Sequence, residues 1–545
     1  MLFFPFNAKI KPLHAKTMLN KLFSLKKIQA FLENSSLKIR RHFGIILVII
    51  FLLTWLSVLL SRGTDLTTAD LGRHIANGRY FFENHKIPEK NLYSYTNPDA
   101  SFVNHHWGSG IIFYLIWKYF DFSGLNSFYI SMSLLTFFLI FSLTKKFSGL
   151  AIATFVATLT IPLIGDRTEI RPEIFSYFFS VVFFQLLWKY KYENISSRWL
   201  LFLPIIMIIW VNMHIYFIFG IGIFGLFFLD ALPEKNKKKS KALGIILFLT
   251  ILATLFNPLG IKGALYPFNI FQNYNYRVLE NQSIGFLSHL NFIANPNLLI
   301  FKITLSILLL SHLALLIFNR KKISWPLFGL AITISILGWS ALRNFALFGY
   351  FSIPVIAHGI TYAFKKNYLK KYHVFFFVLS FFAFIFFANR DALFSNEPIE
   401  YTPKEVSASA NFFIKNHLSG PIFNDYDIGS FLIFKLFPRE KVFVDNRPEA
   451  YPKDFFQTVY IPIQQSDTAW NNALVKYNFN VIYFSLKDAT PWGQDFLLKR
   501  IDDPGWSPVY ADQYAIIFLR KNEKNKDLIS KFEIARNNFS SKKIR

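Results

Sequence analysis

The sequence predicts a polytopic α-helical membrane protein with a compact α/β domain at its C-terminal end, on three observations. Between Phe43 and Ala388 lie several separate apolar runs of roughly 16 to 22 residues, each long enough to cross a hydrocarbon core of ~30 Å. Hydrophobic residues make up 53% of the chain and Phe alone occurs 67 times, more apolar bulk than a soluble core absorbs. After Ala388 short helical patterns alternate with β-rich runs, the signature of an α/β domain.

The elements follow in order. Residues 1–42 hold nine Lys and Arg against one Glu and are expected to form a basic cytoplasmic N-terminus. Phe43 to Leu60 is expected to stay as a first membrane helix rather than be cleaved as a signal peptide. Later basic clusters mark cytoplasmic turns: Lys145 with Lys146, Lys189 and Lys191 with Arg198, Lys235 to Lys241, Arg320 to Lys322, and Lys365 to Lys371. They place further spans at about 125 to 144, 148 to 164, 174 to 189, 199 to 213 and 215 to 231. The remainder follow at about 242 to 256, 298 to 318, 325 to 341, 344 to 363 and 372 to 388. The transmembrane domain, 43–388, thus has about 11 helices and an outer C-terminus.

Gly110 to Phe120 is roughly 11 residues where ~20 are needed to span. It is expected to lie in the membrane plane, anchored by Tyr114, Trp117 and Tyr119. Two long outer loops result, 61–124 and 257–297, the second opening on Asn257-Pro258-Leu259-Gly260, which ends the preceding helix. The extracytoplasmic α/β domain, 389–520, is expected to carry helices at about 404 to 417 and 428 to 437. Its strands are expected at Lys441 to Asp445, Val481 to Ser485 and Tyr514 to Leu519. A charged tail, 521–545, is expected to fray.

Several function classes drop out. There is no Cys, so thiolate metal sites, disulfides and cysteine nucleophiles are excluded. The net charge of +26 sits in short clusters between apolar runs, where it sets topology rather than binding nucleic acid. No Walker, dinucleotide or Gly-x-Ser-x-Gly motif occurs.

Given that topology, ionisable residues converge on the outer membrane boundary, where such groups mark functional sites. The first outer loop supplies Asp65, Asp70, Arg73 and His74, then His105, His106 and Trp107. The turn after the third helix supplies Asp166, Arg167, Glu169 and Arg171. Asn212 and His214 lie at the next outer turn, and Arg343 at a later one. Carboxylates here suit a general base or hard-oxygen ligation of a divalent cation such as Mg or Mn. Arginines suit an oxyanion. Together they describe a lipid phosphate held at the bilayer surface beside an acid or base. Each group also has a plainer use: Asp65 and Asp70 as helix starts, Arg167 and Arg171 in salt bridges, His214 as a packed histidine.

The run Asp70-Leu-Gly-Arg-His74, Gly78, Ile87-Pro88, Tyr93-Ser94-Tyr95-Thr96 and Asn104-His105-His106-Trp107 resembles the first periplasmic loop of bacterial GT-C-type membrane glycosyltransferases. Arg171-Pro172-Glu173, Trp210-Val-Asn212-Met-His214, Asn257-Pro258-Leu-Gly260 and Arg343-Asn344 are similar to further signatures of that superfamily. So are Phe423-Asn424-Asp425-Tyr426-Asp427-Ile-Gly429 and Val444-Asp445-Asn446-Arg447. The resemblance implies transfer of a sugar from a polyprenyl-phosphate donor to a glycan, lipid or protein acceptor, on the outer face of a bacterial cytoplasmic membrane. It assigns catalysis to Asp70, with Asp65 and His74 beside it. Asp166 and Glu169 become a second acidic motif, with Asp70, Asp166 and Glu169 as metal ligands. Arg171, Arg343 and Arg167 become donor-phosphate ligands, and His105, His106, Trp107, Asn212 and His214 line the acceptor pocket. In that motif a cationic Arg167 stands between the acids, and His106 stands where relatives carry Glu. Two other readings compete: a lipid or polysaccharide flippase, which predicts polar residues at the bilayer midplane, and an inactive scaffold of the same fold.

Overall fold

The computed structural model describes residues 42–539 except 62–64, 235–236, 271–275, 277, 290–294, 296, 365–371, 395–405 and 489. The expected basic N-terminus up to residue 41, the cluster Lys365 to Lys371 and the tail beyond 539 lie outside the described residues. The chain divides into two compact units, Met1–Thr54 and Trp55–Arg545. The described part of the first is the opening of helix α1 (His42–Leu60).

In the second unit, α2 (Leu71–Asn84) is followed by α3 (Trp107–Ser148), α4 (Leu150–Gly165), α5 (Glu173–Tyr192), α6 (Phe202–Val211), α7 (Phe217–Ala231) and α8 (Lys237–Ala253). Two short helices, α9 (Ile261–Asn269) and α10 (Ile284–His289), occupy the second long loop. Then come α11 (Asn297–Asn319), α12 (Trp325–Ser340), α13 (Phe345–Ala363) and α14 (His373–Phe394). Each expected apolar run is helical. Among the described residues four helices are long and apolar enough to cross a membrane: His42–Leu60, Trp107–Ser148, Asn297–Lys322 and Leu342–Ala363. Five more are apolar but shorter. α13 is buried along nearly its whole length, packed among α3, α4, α11 and α12.

The segment Gly110 to Phe120 and the helix expected after it meet at a kink within α3, at Asp121. At Asp121 the backbone adopts φ 57° and ψ −162°, a positive-φ conformation rarely adopted by a residue with a side chain. Its carboxylate accepts the N–H of Phe122 at 2.8 Å. The first arm packs on α2 through a close approach at Gly78, where an added Cβ would strike the Gly110 carbonyl.

Residues 406–539 form the α/β part, around a four-stranded sheet of order β1-β2-β4-β3. β1 (Ile422–Asn424) runs parallel to β2 (Val481–Ser485). β4 (Ala515–Arg520) is antiparallel to β2 and to β3 (Trp506–Ala511), with a register shift between Pro508 and Tyr510. Phe423, Phe443, Phe479, Phe484, Phe496, Trp470 and Trp506 fill its core, joined by Phe102 and Tyr276 from the two long loops.

Two expectations are corrected here. Lys441 to Asp445 is no strand of the sheet: Val442 instead pairs with Tyr93 and Tyr95 of the first long loop, the N–H of Val442 donating to Tyr93 O at 3.0 Å. β-propensity finds an extended segment but not its partner, which here lies far upstream in the chain. The tail from Lys521 is ordered through 539, with a helix at Lys526–Phe532. Ile534 N–H donates to Pro508 O at 2.8 Å, which holds the tail on β3.

Candidate active site

Asp70 stands at the N-cap position of α2 yet makes no side-chain cap hydrogen bond, so its carboxylate is not committed to the helix it precedes. It faces Arg171 at 3.4 Å and Arg73 at 3.9 Å. Asp65 is used differently. One oxygen accepts the N–H and hydroxyl of Thr67 at 2.9 and 2.7 Å, and the other accepts Lys487 Nζ at 2.9 Å. It therefore fixes a turn and ties the first loop to the α/β part.

The arginines form a continuous network with acids. Arg343 donates to Glu173 at 2.6 Å and Arg167 grips the same carboxylate at 2.9 and 3.0 Å. Arg167 also reaches Glu280 at 2.6 Å, and Glu280 reaches Arg171 at 2.9 Å. Arg171 completes the chain through Glu169 at 2.6 Å. Glu280 was invisible to motif reasoning, as a lone acid in a long loop. Burial opposes its charge, but Arg167 and Arg171 outweigh that and hold its carboxyl well below the usual range. With these pairings made, the Nε atoms of Arg343 and Arg73 are buried without a partner. Arg73, absent from the expected phosphate ligands, is 4% exposed.

Asp166 is placed elsewhere. It accepts Asn297 Nδ2 at 2.6 Å and Asn295 Nδ2 at 3.3 Å, and lines a cavity of ≈130 Å³ with Arg167, Glu280 and Arg343. Among the described residues no group of three or more His, Asp or Glu side chains is placed to hold a metal ion. The expected set of Asp70, Asp166 and Glu169 does not form one: Glu169 is turned onto Arg171 and Asp166 onto two amides, so the carboxylates are neutralised or bonded before any cation arrives.

The histidines stack together. His105 and His106 ring centroids lie 3.7 Å apart, with His214 and His74 at 5.2 and 5.3 Å from His106. His214 Nδ1 meets Ser176 Oγ at 2.8 Å, which also accepts Trp210 Nε1 at 2.7 Å. Burial lowers His105 to about 3 and pushes His74 and His106 well below the ordinary value, so these rings are neutral at pH 7. Trp107 and Asn212 bond each other, Nε1 to Oδ1 at 2.7 Å, joining two turns rather than facing the main cavity. They line a small neighbouring cavity of ≈30 Å³.

The main cavity has a volume of ≈510 Å³, within the ~300–1,000 Å³ of ligand pockets. It gathers Asp70, Arg73, Arg171, Arg343, Glu280, His105, His106 and His214 at its polar end, and Ile218, Phe219, Leu337 and Leu347 on an apolar side. Its remaining wall comes from the α/β part: Tyr426, Asp427, Asn446 and Glu449. Those residues belong to the two quoted outer-domain motifs or sit beside them, but their approach to Asp70 has no local signal. The neighbouring Asp445 and Arg447 are structural, paired at 2.6 Å and fully buried, with Arg447 also donating to Asn91 Oδ1 at 2.7 Å.

Burial, with the Asp488 and Asp70 carboxyls nearby, pushes the Asp427 carboxyl up to about 7. Its unfolded value is ~3.9, so folding favours the protonated form and that contribution is lost as pH climbs from about 4 through 7. Wild type is therefore expected to lose stability relative to Asp427→Asn over that range, the gap ceasing to widen above pH 7. Thermal unfolding of both proteins from pH 4 to 8 tests this, and a pH-independent gap contradicts it.

No protein-family model and no curated protein matches the sequence. Solved structures do. The oligosaccharyltransferase AglB of Archaeoglobus fulgidus, in complex with an inhibitory peptide and a dolichol-phosphate, matches 89% of this chain over 75% of its own. The identity is 13% and the TM-score 0.54. The same enzyme in complex with Zn and sulfate gives 14% identity, 87% and 73% coverage and a TM-score of 0.51. ArnT from Cupriavidus metallidurans, bound to undecaprenyl phosphate, gives 12% identity, 87% and 97% coverage and a TM-score of 0.49. The agreement with AglB over nearly nine-tenths of the chain is a likeness of backbone: the protein has the fold of that oligosaccharyltransferase.

Proposed function

We propose that this protein is a membrane glycosyltransferase that moves a sugar from a polyprenyl-phosphate-linked donor to an acceptor on the outer face of a bacterial cytoplasmic membrane. The observation that carries this reading is the single cavity lined by a carboxylate that caps no helix, by the guanidinium groups of Arg73 and Arg343 and by an apolar wall. A prenyl chain suits Ile218, Phe219, Leu337 and Leu347, and the donor phosphate suits the guanidinium groups of Arg73 and Arg343, which stay charged at any working pH. In this scheme eleven spans and an extracytoplasmic α/β domain put the cavity at the outer bilayer boundary, where donor and acceptor meet.

The chemistry is a displacement. The acceptor hydroxyl or amide attacks the anomeric carbon and its proton passes to Asp70. The bond between that carbon and the phosphate oxygen breaks, with inversion, and the electron pair leaves on the polyprenyl phosphate. Arg73 and Arg343 stabilise the charge that develops there. The neutral histidines shape the pocket and add no competing positive charge. Residues Asp70, Asp166 and Glu169 do not offer a metal site, and no step is assigned to one. Turnover is therefore expected to be unchanged by EDTA. A loss that Mg²⁺ or Mn²⁺ restores would overturn this purely arginine-based account of leaving-group stabilisation.

The direct test is sugar release from radiolabelled polyprenyl-phosphate hexoses by the full chain in lipid nanodiscs. Transfer establishes the reading. Binding of polyprenyl phosphate with no turnover on any donor sinks it in favour of a scaffold, and passage of lipid between leaflets sinks it in favour of a flippase.

A further inference from the structure

The wall contributed by the α/β part lines the same cavity as Asp70, Arg73 and Arg343. On it, both amide atoms of Asn446 and Oε2 of Glu449 are shielded from solvent and have no hydrogen-bond partner. Burying an unsatisfied polar group costs ~1–3 kcal/mol, and the two residues that carry these three atoms both line the main cavity, where a ligand would be the nearest source of partners. Across the same cavity Arg73, itself 4% exposed, also keeps Nε unpartnered. Arg73 is close enough to Glu449 to be the charge acting most strongly on it. Whatever sits against Asn446 and Glu449 is thus delivered beside the donor phosphate.

The donor and acceptor inventory of this wall defines its occupant. Asn446 offers two N–H donors and a carbonyl, and Asp427 and Glu449 offer carboxyl oxygens. Adjacent hydroxyls on a sugar ring each donate and accept, so one ring engages an amide and a carboxyl together. A peptide backbone presents one N–H and one C=O per residue in fixed directions, and would leave the carboxyls underused. The ring of Tyr426, packed on Tyr276 with centroids 4.3 Å apart, lines the same wall and supplies an apolar face of the kind that covers sugar C–H groups. Burial raises the Glu449 carboxyl above its ordinary value, which suits hydroxyl partners better than a cationic amine.

Resting on the transferase reading, we infer that the acceptor is a saccharide, held by its hydroxyls on Asn446, Glu449 and Asp427, rather than a polypeptide. The sugar reaches the site free or as the headgroup of a glycolipid.

The experiment uses the full chain in nanodiscs and saturation-transfer NMR, with four probes: methyl hexopyranosides, a glucosyl diacylglycerol in the bilayer, a capped tripeptide and undecaprenyl phosphate. One of the two sugar probes is expected to bind, and which of them does so identifies the source. Asn446→Ala and Glu449→Gln are each expected to weaken it about tenfold, the loss of one good hydrogen bond. Unfolding traces confirm that the variants are folded, and discrimination by wild type alone already decides the class. Binding of undecaprenyl phosphate with no sugar bound overturns the saccharide inference and leaves the transferase reading intact. Peptide binding in place of sugar overturns it likewise. Failure to bind any of the four overturns both.

Discussion

Asp70→Asn is expected to lower sugar transfer by ~10²–10⁴-fold, the range for losing a positioned general base, while polyprenyl phosphate still binds. The substitution keeps the shape of the side chain and the start of α2, which never used the carboxylate as a cap. Arg171 loses a partner at 3.4 Å but keeps Glu169 and Glu280, so the network beside the site survives. The measurement is single-turnover transfer from a labelled donor, with binding read separately. If Asp70→Asn turns over within tenfold of wild type, the proton goes elsewhere. Asp427 is then the next carboxyl to replace, since it lines the same cavity.

Glu173→Ala is expected to cost ~3–5 kcal/mol of stability, the range for removing one partner of a buried ion pair. Its side chain is 3% exposed and neutralises Arg167 and Arg343 at once. Without it two guanidinium groups face each other in a low-dielectric site, and Glu280 alone holds Arg167. Glu173→Gln keeps the volume and isolates the charge. Adding Arg343→Met to Glu173→Ala is expected to recover part of the loss, a coupling that a double-mutant cycle in detergent measures directly. Stabilities of Glu173→Ala and wild type that agree within error would show the arginines to be adequately solvated from the cavity side.

The apolar helices were legible because each is an apolar run, many of them bounded by Lys and Arg, and such a run needs no knowledge of its neighbours; four of those described are long enough to cross a membrane. Asp121 shows the limit. The break between residues 110–120 and the helix that follows was readable, but not that a single positive-φ residue makes the joint with no loop between them. The outer acids and arginines were legible as a set, since helix ends at one boundary must be close. Their pairing was not. Whether Arg171 meets a phosphate or Glu169 depends on sub-ångström placement, and Glu280 enters from a loop with no periodicity to locate it. The α/β wall was the least legible part. Asp427, Asn446 and Glu449 reach Asp70 only through tertiary contacts such as Val442 with Tyr93 and Tyr95.

The joint between Arg73 N–H and Ser430 Oγ, at 2.9 Å, links residues 357 positions apart. Gly72 allows that joint, because a methyl group there would stand 2.6 Å from the Ser430 carbonyl oxygen. It also sets a clock on biosynthesis. At ~5–20 residues per second of translation, Asp70 waits some tens of seconds for the last wall of its cavity to be made. A chain that stops short of Tyr426 therefore lacks the wall of Tyr426, Asp427, Asn446 and Glu449, and its charged cluster around Asp70 stays open on that side.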